Sequence, residues 1–341
     1  MAKTTPTSNT QLTREEAMHI KSVKIDQFGG PDVLQLVSTP CPEPGPGEVR
    51  VRLTAIGINL IDTYHRTGLY PLPLPTGLGC EGAGVVEAVG DQVTSLQLGE
   101  RVGFCLGLGA YSEAIVLPHT SLVKIPEGIS DQQAAAVLLK GMTVDYLFNE
   151  TFPLHGGETV LFHAAAGGVG LLACQWARHL GVTLIGTAST PEKCQLAVHH
   201  GAAQCLQIDQ EGLAEKLAEL SPDGGFPVVY DSLGKASYEL SLNALAPLGM
   251  FVSFGNASGP IEGVSPAALA ASGSLYFTRP TLGTHVTRPG WMQRSADRLF
   301  DLIANQVLDI QINQTYGLDD IVQAHKDLES RKTTGCSIIL P

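Results

Sequence analysis

The sequence predicts an α/β protein of two lobes, a β-rich one followed by a doubly wound parallel sheet. Three observations carry that expectation. The chain has 341 residues, more than one domain usually holds. Near residue 140 its texture changes from short β-patterned runs to alternating strands and helices. A glycine-rich turn then separates one such strand from the next helix, in "FHAAAGGVGLLACQWARHL" at residues 162–180.

The opening "MAKTTPTSNTQLTREEAMHI" is polar and has no apolar signal-peptide core, so residues 1–19 are expected to form a disordered extension. Residues 20–139 form the β-rich lobe, because "VKIDQFG", "EVRVRLTAIGIN", "EGAGVVEAVG" and "AYSEAIVLP" are short apolar runs divided by Pro and Gly. "PCPEPGPGE" reads as a stiff loop within that lobe. "DQQAAAVLLKGMTVDYLF" has a helical pattern. Across residues 140–280, strands such as "ETVLFHA", "VTLIGTA", "AAQCLQI" and "PVVYDSLG" alternate with helices such as "PEKCQLAVHHG" and "EGLAEKLAELS", which implies a parallel sheet with helices on both faces. Residues 281–341 end in two helices and a strand, "CSIILP", expected to return to the first lobe.

In the glycine turn, Ala165, Gly167 and Gly170 occupy the three key places of the dinucleotide-binding fingerprint, with alanine in the first. Gly167 lets the backbone approach a pyrophosphate, and Gly170 lets the helix pack on its strand. The helix N-terminus offers N–H groups and partial positive charge to phosphates. Val169, Leu172, Ala173, Trp176, Ala177 and Leu180 recur at helical spacing and define one buried face. Gly167, Gly168, Val169 and Gly170 are therefore candidate cofactor contacts. The following strand ends in "GTASTPEK", without the carboxylate that would bind a ribose 2′-hydroxyl. Ser189 and Lys193 instead suit a 2′-phosphate, by hydrogen bond and by charge, so NADPH is the expected cofactor.

Composition excludes other classes. No apolar run is long enough to span a bilayer, and a net charge of -12 argues against general nucleic-acid binding. Seven scattered cysteines without a C-x-x-C pair suggest reduced thiols and a cytoplasmic protein.

Taken in order, "GINLIDTY", "GLGCEGAGVV", "GAYSE", "KGMTV", "HAAAGGVG", "VYDSLG", "VSFGN" and "LESR" resemble the zinc-free quinone oxidoreductases of the medium-chain dehydrogenase/reductase superfamily, the group that includes zeta-crystallin. The resemblance runs from about Ile20 to Pro341. It implies a GroES-like catalytic lobe interrupted by a Rossmann domain. It also implies that Asn59 lies beside the nicotinamide, holding a carboxamide or ribose hydroxyl, and that Tyr64 lies in the pocket wall, bonding or stacking on the substrate. By the same resemblance Thr143, Phe254, Gly255 and Asn256 line the nicotinamide half of the cofactor, and Arg331 supports Lys193 at the adenosine phosphate. One departure is Ile208, where close relatives place a tyrosine flanking the 2′-phosphate; it weakens the expected preference for NADPH.

Zinc-dependent relatives carry ligands at the positions of Asn59 and Cys80 and a lobe of four closely spaced cysteines, which this chain lacks. Two soft ligands cannot build a three-ligand catalytic zinc site, so a metal-free enzyme is expected, with Cys80 a small buried residue. His163 is expected in the core or at the pocket rim, and His199 and His200 in a solvated helix end. Asp231 and Ser232 of "YDSLG" have no histidine beside them in sequence to complete a hydrolase triad.

The expected activity is hydride transfer from NADPH to a small quinone. Reduction of an enone or alkenal double bond is the alternative within the same chemistry. A nucleotide-gated RNA-binding or crystallin-like protein, as the resemblance also implies, is the non-enzymatic one. A homodimer is expected through the last strand of the second sheet, "LYFTRP", because an unpaired edge is a liability.

Overall fold

The computed structural model describes residues 18–222 and 224–341; most of the extension expected over residues 1–19 lies outside them. His19, assigned to that extension, instead opens β1 (His19–Ile25), paired antiparallel with β2 (Gln35–Pro40). β3 (Glu48–Ile58) leads into α1 (Leu60–Thr67), and then come β4 (Thr76–Gly77), β5 (Glu81–Val89), β6 (Arg101–Cys105), β7 (Ala114–Pro118) and β8 (Val123–Lys124). α2 (Asp131–Tyr146) begins on Ser130, whose hydroxyl accepts the Gln133 N–H as a helix cap. It runs unbroken through residues 139 and 140 with nearly every side chain buried. The texture change therefore falls inside a helix that both lobes share.

The second unit alternates β9 (Thr159–Phe162), α3 (Gly168–His179), β10 (Thr183–Ala188), α4 (Pro191–His199), β11 (Gln204–Gln207), α5 (Leu213–Leu220), β12 (Phe226–Asp231), α6 (Tyr238–Ala244), β13 (Leu245–Ser253), α7 (Pro266–Ala271) and β14 (Tyr276–Thr278). Its six strands are parallel in the order β11-β10-β9-β12-β13-β14. This is the dinucleotide-binding order, and its direction reverses between β9 and β12, where such sheets bind ligands. α3 sits on the sheet through the periodic face: Leu172 and Trp176 are each 2% exposed, and burial of a side chain like Leu172 is worth about 2 kcal/mol.

α8 (Leu282–Val286), α9 (Trp291–Ala304), β15 (Ile312–Gly317), α10 (Ile321–Glu329) and β16 (Cys336–Leu340) complete the chain. β16 pairs antiparallel with β3 at Ile338 and Gly57, so the last strand enters the first-lobe sheet, in the order β15-β16-β3-β5-β6-β8 with β7 also on β3.

A buried polar chain fastens α10 to α1. Arg66 Nη1 donates to His325 Nδ1 at 2.9 Å, His325 Nε2 lies 3.2 Å from the Tyr111 hydroxyl, and that hydroxyl donates to Asp62 Oδ2 at 2.7 Å. Because Nδ1 faces a guanidinium that can only donate, the ring is neutral with its proton on Nε2. Burial, then the Arg66 charge, pushes His325 down to about 3 from an ordinary 6.5. Below the ordinary value the unfolded chain takes up a proton that the folded chain refuses, so the His325 contribution to stability falls as pH drops from about 6.5 toward about 3, by about 3 kcal/mol at about pH 4. His325→Gln should flatten this limb in urea unfolding at neutral and acidic pH. An equal acid loss in both proteins would place the sensitivity elsewhere.

Candidate active site

The glycine turn sits at the end of the central strand β9. Gly167 is exposed and N-caps α3 in an extended conformation, with no side-chain cap, so the helix N-terminus stays available to an anion. Any side chain at Gly170 would run into the Ala164 carbonyl and the Ala165 backbone, which accounts for that glycine by close helix–strand contact. A Cβ on Gly168 would touch the Lys140 stem and the Gly335 carbonyl. Gly335 also bridges Gly167, so the loop before β16 borders the turn. Val169 is half-buried against the core.

Ser189 directly follows β10, and Thr190 caps α4 by accepting the Lys193 N–H. Lys193 Nζ donates to the carbonyls of Arg331 and Thr333 at 2.6 and 3.3 Å, tying α4 to the C-terminal loop. Burial, and then the charge of Arg331, lower the Lys193 pKa. The two cations repel each other, and neither pairs with a carboxylate among the described residues.

On the other side of the turn, Asn59 N-caps α1 and is 5% exposed. Its Nδ2 donates to Glu81 Oε2 at 2.8 Å, which also accepts from Lys140 Nζ at 3.2 Å, while Oε1 accepts the Leu139 N–H at 2.7 Å. Burial disfavours the Lys140 charge, but Glu81, together with Cys336 and Asp62, outweighs it and leaves its pKa raised. Thr143 stands one turn along α2 from Leu139, to whose carbonyl its hydroxyl donates at 2.8 Å.

The wall that crosses between lobes is built on Asn256, in the segment after β13. Its N–H donates to the Tyr64 hydroxyl at 3.1 Å and its Nδ2 to the Tyr70 hydroxyl at 2.9 Å. Arg279 Nη2 also donates to Tyr70 at 2.9 Å, and the two tyrosine rings meet edge-on at 5.2 Å. Phe254 packs on Phe162 at 5.5 Å, and Gly255 lies against the Ser232 backbone. Sequence reasoning missed Glu81, Lys140, Tyr70 and Arg279. Glu81, Lys140 and Arg279 stand inside "GLGCEGAGVV", "KGMTV" and "LYFTRP" and Tyr70 follows shortly after Tyr64, but nothing local to those stretches marks what each side chain meets.

Two expectations change and a third gains detail. Asp231 does reach a histidine, through Ser241 instead of Ser232: Ser241 Oγ donates to Asp231 Oδ2 at 2.7 Å and lies 3.0 Å from His163 Nε2, whose Nδ1 lies 2.8 Å from Thr187 Oγ1. His163 and Asp231 are fully buried, and the serine proton points at the carboxylate instead of the imidazole, the reverse of a hydrolase triad. His200, expected in solvent, is 6% exposed and its Nδ1 donates to the Leu196 carbonyl at 2.9 Å. Cys80 is buried as expected, its thiol pushed well up by burial and then by Asp62, yet it has polar company. Its Sγ lies 3.6 Å from His65 Nδ1. Burial raises nearby Asp62 to about 6 against the hydrogen bonds from Tyr111 and Asn59.

The positions used for catalytic zinc in zinc-dependent relatives do not fit that ion here. Asn59 turns its donor amide to Glu81, whose carboxylate is taken up by the Lys140 cation and the Leu139 N–H. A buried ion pair broken on one side leaves an uncompensated charge. Glu81→Ala should therefore cost about 3–5 kcal/mol, and adding Lys140→Met should recover most of it. Urea midpoints check this, and a double variant no more stable than the single would refute the pairing.

The alcohol dehydrogenase GroES-like domain matches residues 45–127, and the zinc-binding dehydrogenase family matches residues 168–301. The quinone oxidoreductase of Pseudomonas aeruginosa is 54% identical over 323 residues, covering 94% of this chain and 99% of that one. A quinone oxidoreductase structure from Pseudomonas syringae pv. tomato superposes with a TM-score of 0.93 at 49% identity, over 95% of this chain and 100% of that one. The Escherichia coli quinone oxidoreductase, solved in complex with NADPH, does so at 0.93 and 45%, over 94% and 100%. Likeness of this degree over nearly the whole of both chains settles the family: this protein belongs to the quinone oxidoreductases, built from a GroES-like lobe and a Rossmann lobe.

Proposed function

We propose that this protein is an NADPH-dependent quinone reductase that passes hydride to a small quinone in the cleft between its lobes, with no metal taking part. The observation that carries the cofactor is the Lys193–Arg331 pair, two mutually repelling cations beside the acid-free end of β10. A doubly charged 2′-phosphate relieves that repulsion. The relative solved with NADPH and the curated quinone oxidoreductases support the same reading.

When bound, NADPH supplies the hydride at its nicotinamide ring. The chain supplies position. Gly167, Gly168, Val169 and Gly170 present the α3 N-terminus to the pyrophosphate, and Ser189, Lys193 and Arg331 hold the 2′-phosphate. Asn59, made rigid by Glu81, orients the nicotinamide end together with Thr143, Phe254, Gly255 and Asn256. The Tyr64 oxygen accepts the Asn256 N–H, so its own proton is free to bond a substrate oxygen. Quinones need little more, because aromatisation drives hydride uptake and solvent supplies the proton. Ile208, half-buried in a core cluster after β11, offers no polar group to the phosphate.

The second sheet ends in β14, where Tyr276 is 58% exposed. We propose that this edge pairs with its twin in a homodimer, and that the enzyme works in the cytoplasm with its seven free cysteines reduced.

Lys193→Ala and Arg331→Ala should each weaken NADPH binding roughly 10-fold or more, as expected for loss of one charge-assisted contact, and leave NADH binding nearly unchanged. Nicotinamide fluorescence titration checks this; equal losses for both nucleotides would remove the phosphate assignment. Turnover on 1,4-benzoquinone should exceed turnover on a simple enone, and the reverse would move the assignment to double-bond reduction. Sedimentation should give a dimer at micromolar concentration, and a monomer would refute the edge pairing.

A further inference from the structure

Four buried side chains meet where three strands of the second sheet end, and the hydride transfer makes no direct use of them. His163 directly follows β9, Thr187 lies in β10, Asp231 closes β12 and Ser241 lies on α6; all four are 0% exposed. Polar groups buried this deeply must be paired, and here the pairing has one direction. The Asp231 carboxylate can only accept, and its Oδ2 takes the Ser241 proton at 2.7 Å. Ser241 therefore meets the imidazole through a lone pair, so His163 Nε2 carries the proton and donates across 3.0 Å. Burial lowers the His163 pKa against the pull of Asp231, which keeps the ring neutral, and Nδ1 accepts the Thr187 hydroxyl at 2.8 Å.

Both ends of this chain reach backbone that borders the cleft. At one end the Ala165 N–H donates to the Thr187 carbonyl at 2.9 Å and the His163 N–H to the Tyr230 carbonyl at 3.0 Å, so the entry to the glycine turn is held between β10 and β12. Ala164 follows at a φ of 56°, a left-handed conformation that a non-glycine residue keeps only where its surroundings impose it. At the other end Asp231 Oδ1 accepts the Leu233 and Gly234 N–H groups at 2.8 and 2.9 Å. That turn in turn receives the Ala257 and Ser258 N–H groups on the carbonyls of Ser232 and Leu233, at 3.1 and 2.7 Å.

We propose that His163 is a positioning residue for the nucleotide: through Thr187 on one side and Ser241 and Asp231 on the other, it locks the glycine turn to the Phe254–Asn256 segment, so that the pyrophosphate and nicotinamide ends of the site are set together. The inference rests on the nucleotide site proposed above. Holding these backbone groups in place before binding removes an ordering cost that the ligand otherwise bears. Pyrophosphate and nicotinamide are common to NADPH and NADH, so His163 acts on both nucleotides, whereas Lys193 and Arg331 act on the 2′-phosphate alone.

The test is titration of the purified full-length protein and its variants with NADPH and NADH, followed by nicotinamide fluorescence, and with 2′-AMP, followed by calorimetry. His163→Ala should weaken both nicotinamide nucleotides alike, by roughly 10-fold or more. Ser241→Ala, which removes one hydroxyl and keeps the fold if the larger truncation does not, should act in the same direction. Both variants should bind 2′-AMP as the parent does, since that fragment carries neither pyrophosphate nor nicotinamide. His163→Gln, whose amide offers one N–H and one carbonyl to the same two partners, should recover most of the loss. Variants with a lowered urea midpoint but unchanged nucleotide dissociation constants would overturn the proposal, because the chain would then serve stability alone. So would a loss confined to NADPH, or one that extends equally to 2′-AMP. A parent protein that binds neither NADPH nor NADH would instead refute the proposed function, and this inference with it.

Discussion

The carboxylate of Glu81 is the constraint around which this molecule is arranged. It lies in the interior at the start of β5 and accepts from the Asn59 side chain, the Lys140 ammonium and the Leu139 backbone. The donors come from two different pieces of structure: the cap of α1, and two successive residues of α2. A charge removed from water must be fully paired, so these pieces have one relative position that works. A side chain on Gly57 would collide with the Glu81 carboxylate and with the Ala135 carbonyl, so the neighbouring strand gives way to let α2 approach.

From that pairing the cleft follows. α2 covers the first-lobe sheet and packs on α3 of the second unit and on α9, while β16 carries the chain end back beside β3. The Lys140 stem passes under Gly168, and the loop before β16 reaches the same turn through Gly335. One strip of residues thus extends from Asn59, past the glycine turn, to Lys193 and Arg331. The same arrangement contributes the rigidity that a reaction carried by positioning needs, because Asn59, Lys140 and Lys193 are each fixed by side-chain hydrogen bonds to another element.

Sequence and structure divide the site unevenly. The glycine turn, the helix behind it and the missing acid after β10 were legible because they are local: a strand, a tight turn and a helix carry their chemistry within about 30 residues. Asn59 and Tyr64 were legible only through resemblance. Glu81 and Lys140 stand inside motifs that carry the resemblance, yet their burial and pairing were not legible, since a glutamate or lysine is by default a surface residue. The Asp231–Ser241–His163 chain was missed for a related reason, its members being brought together by the packing of separate elements.

The sequence by itself determined the alternation of strands and helices, the parallel sheet, the place of the nucleotide turn and the family, all of which follow from periodicity and motifs written along the chain. Only the tertiary structure decided that α2 belongs to both lobes, that the returning last strand pairs with β3, and which buried charges face one another. Hydrophobic periodicity reports which face of an element is hidden, but it does not report what that face meets. Buried polar groups draw their energy from partners distant in sequence, so Glu81 acquires its meaning only once Asn59 and Lys140 have been folded against it.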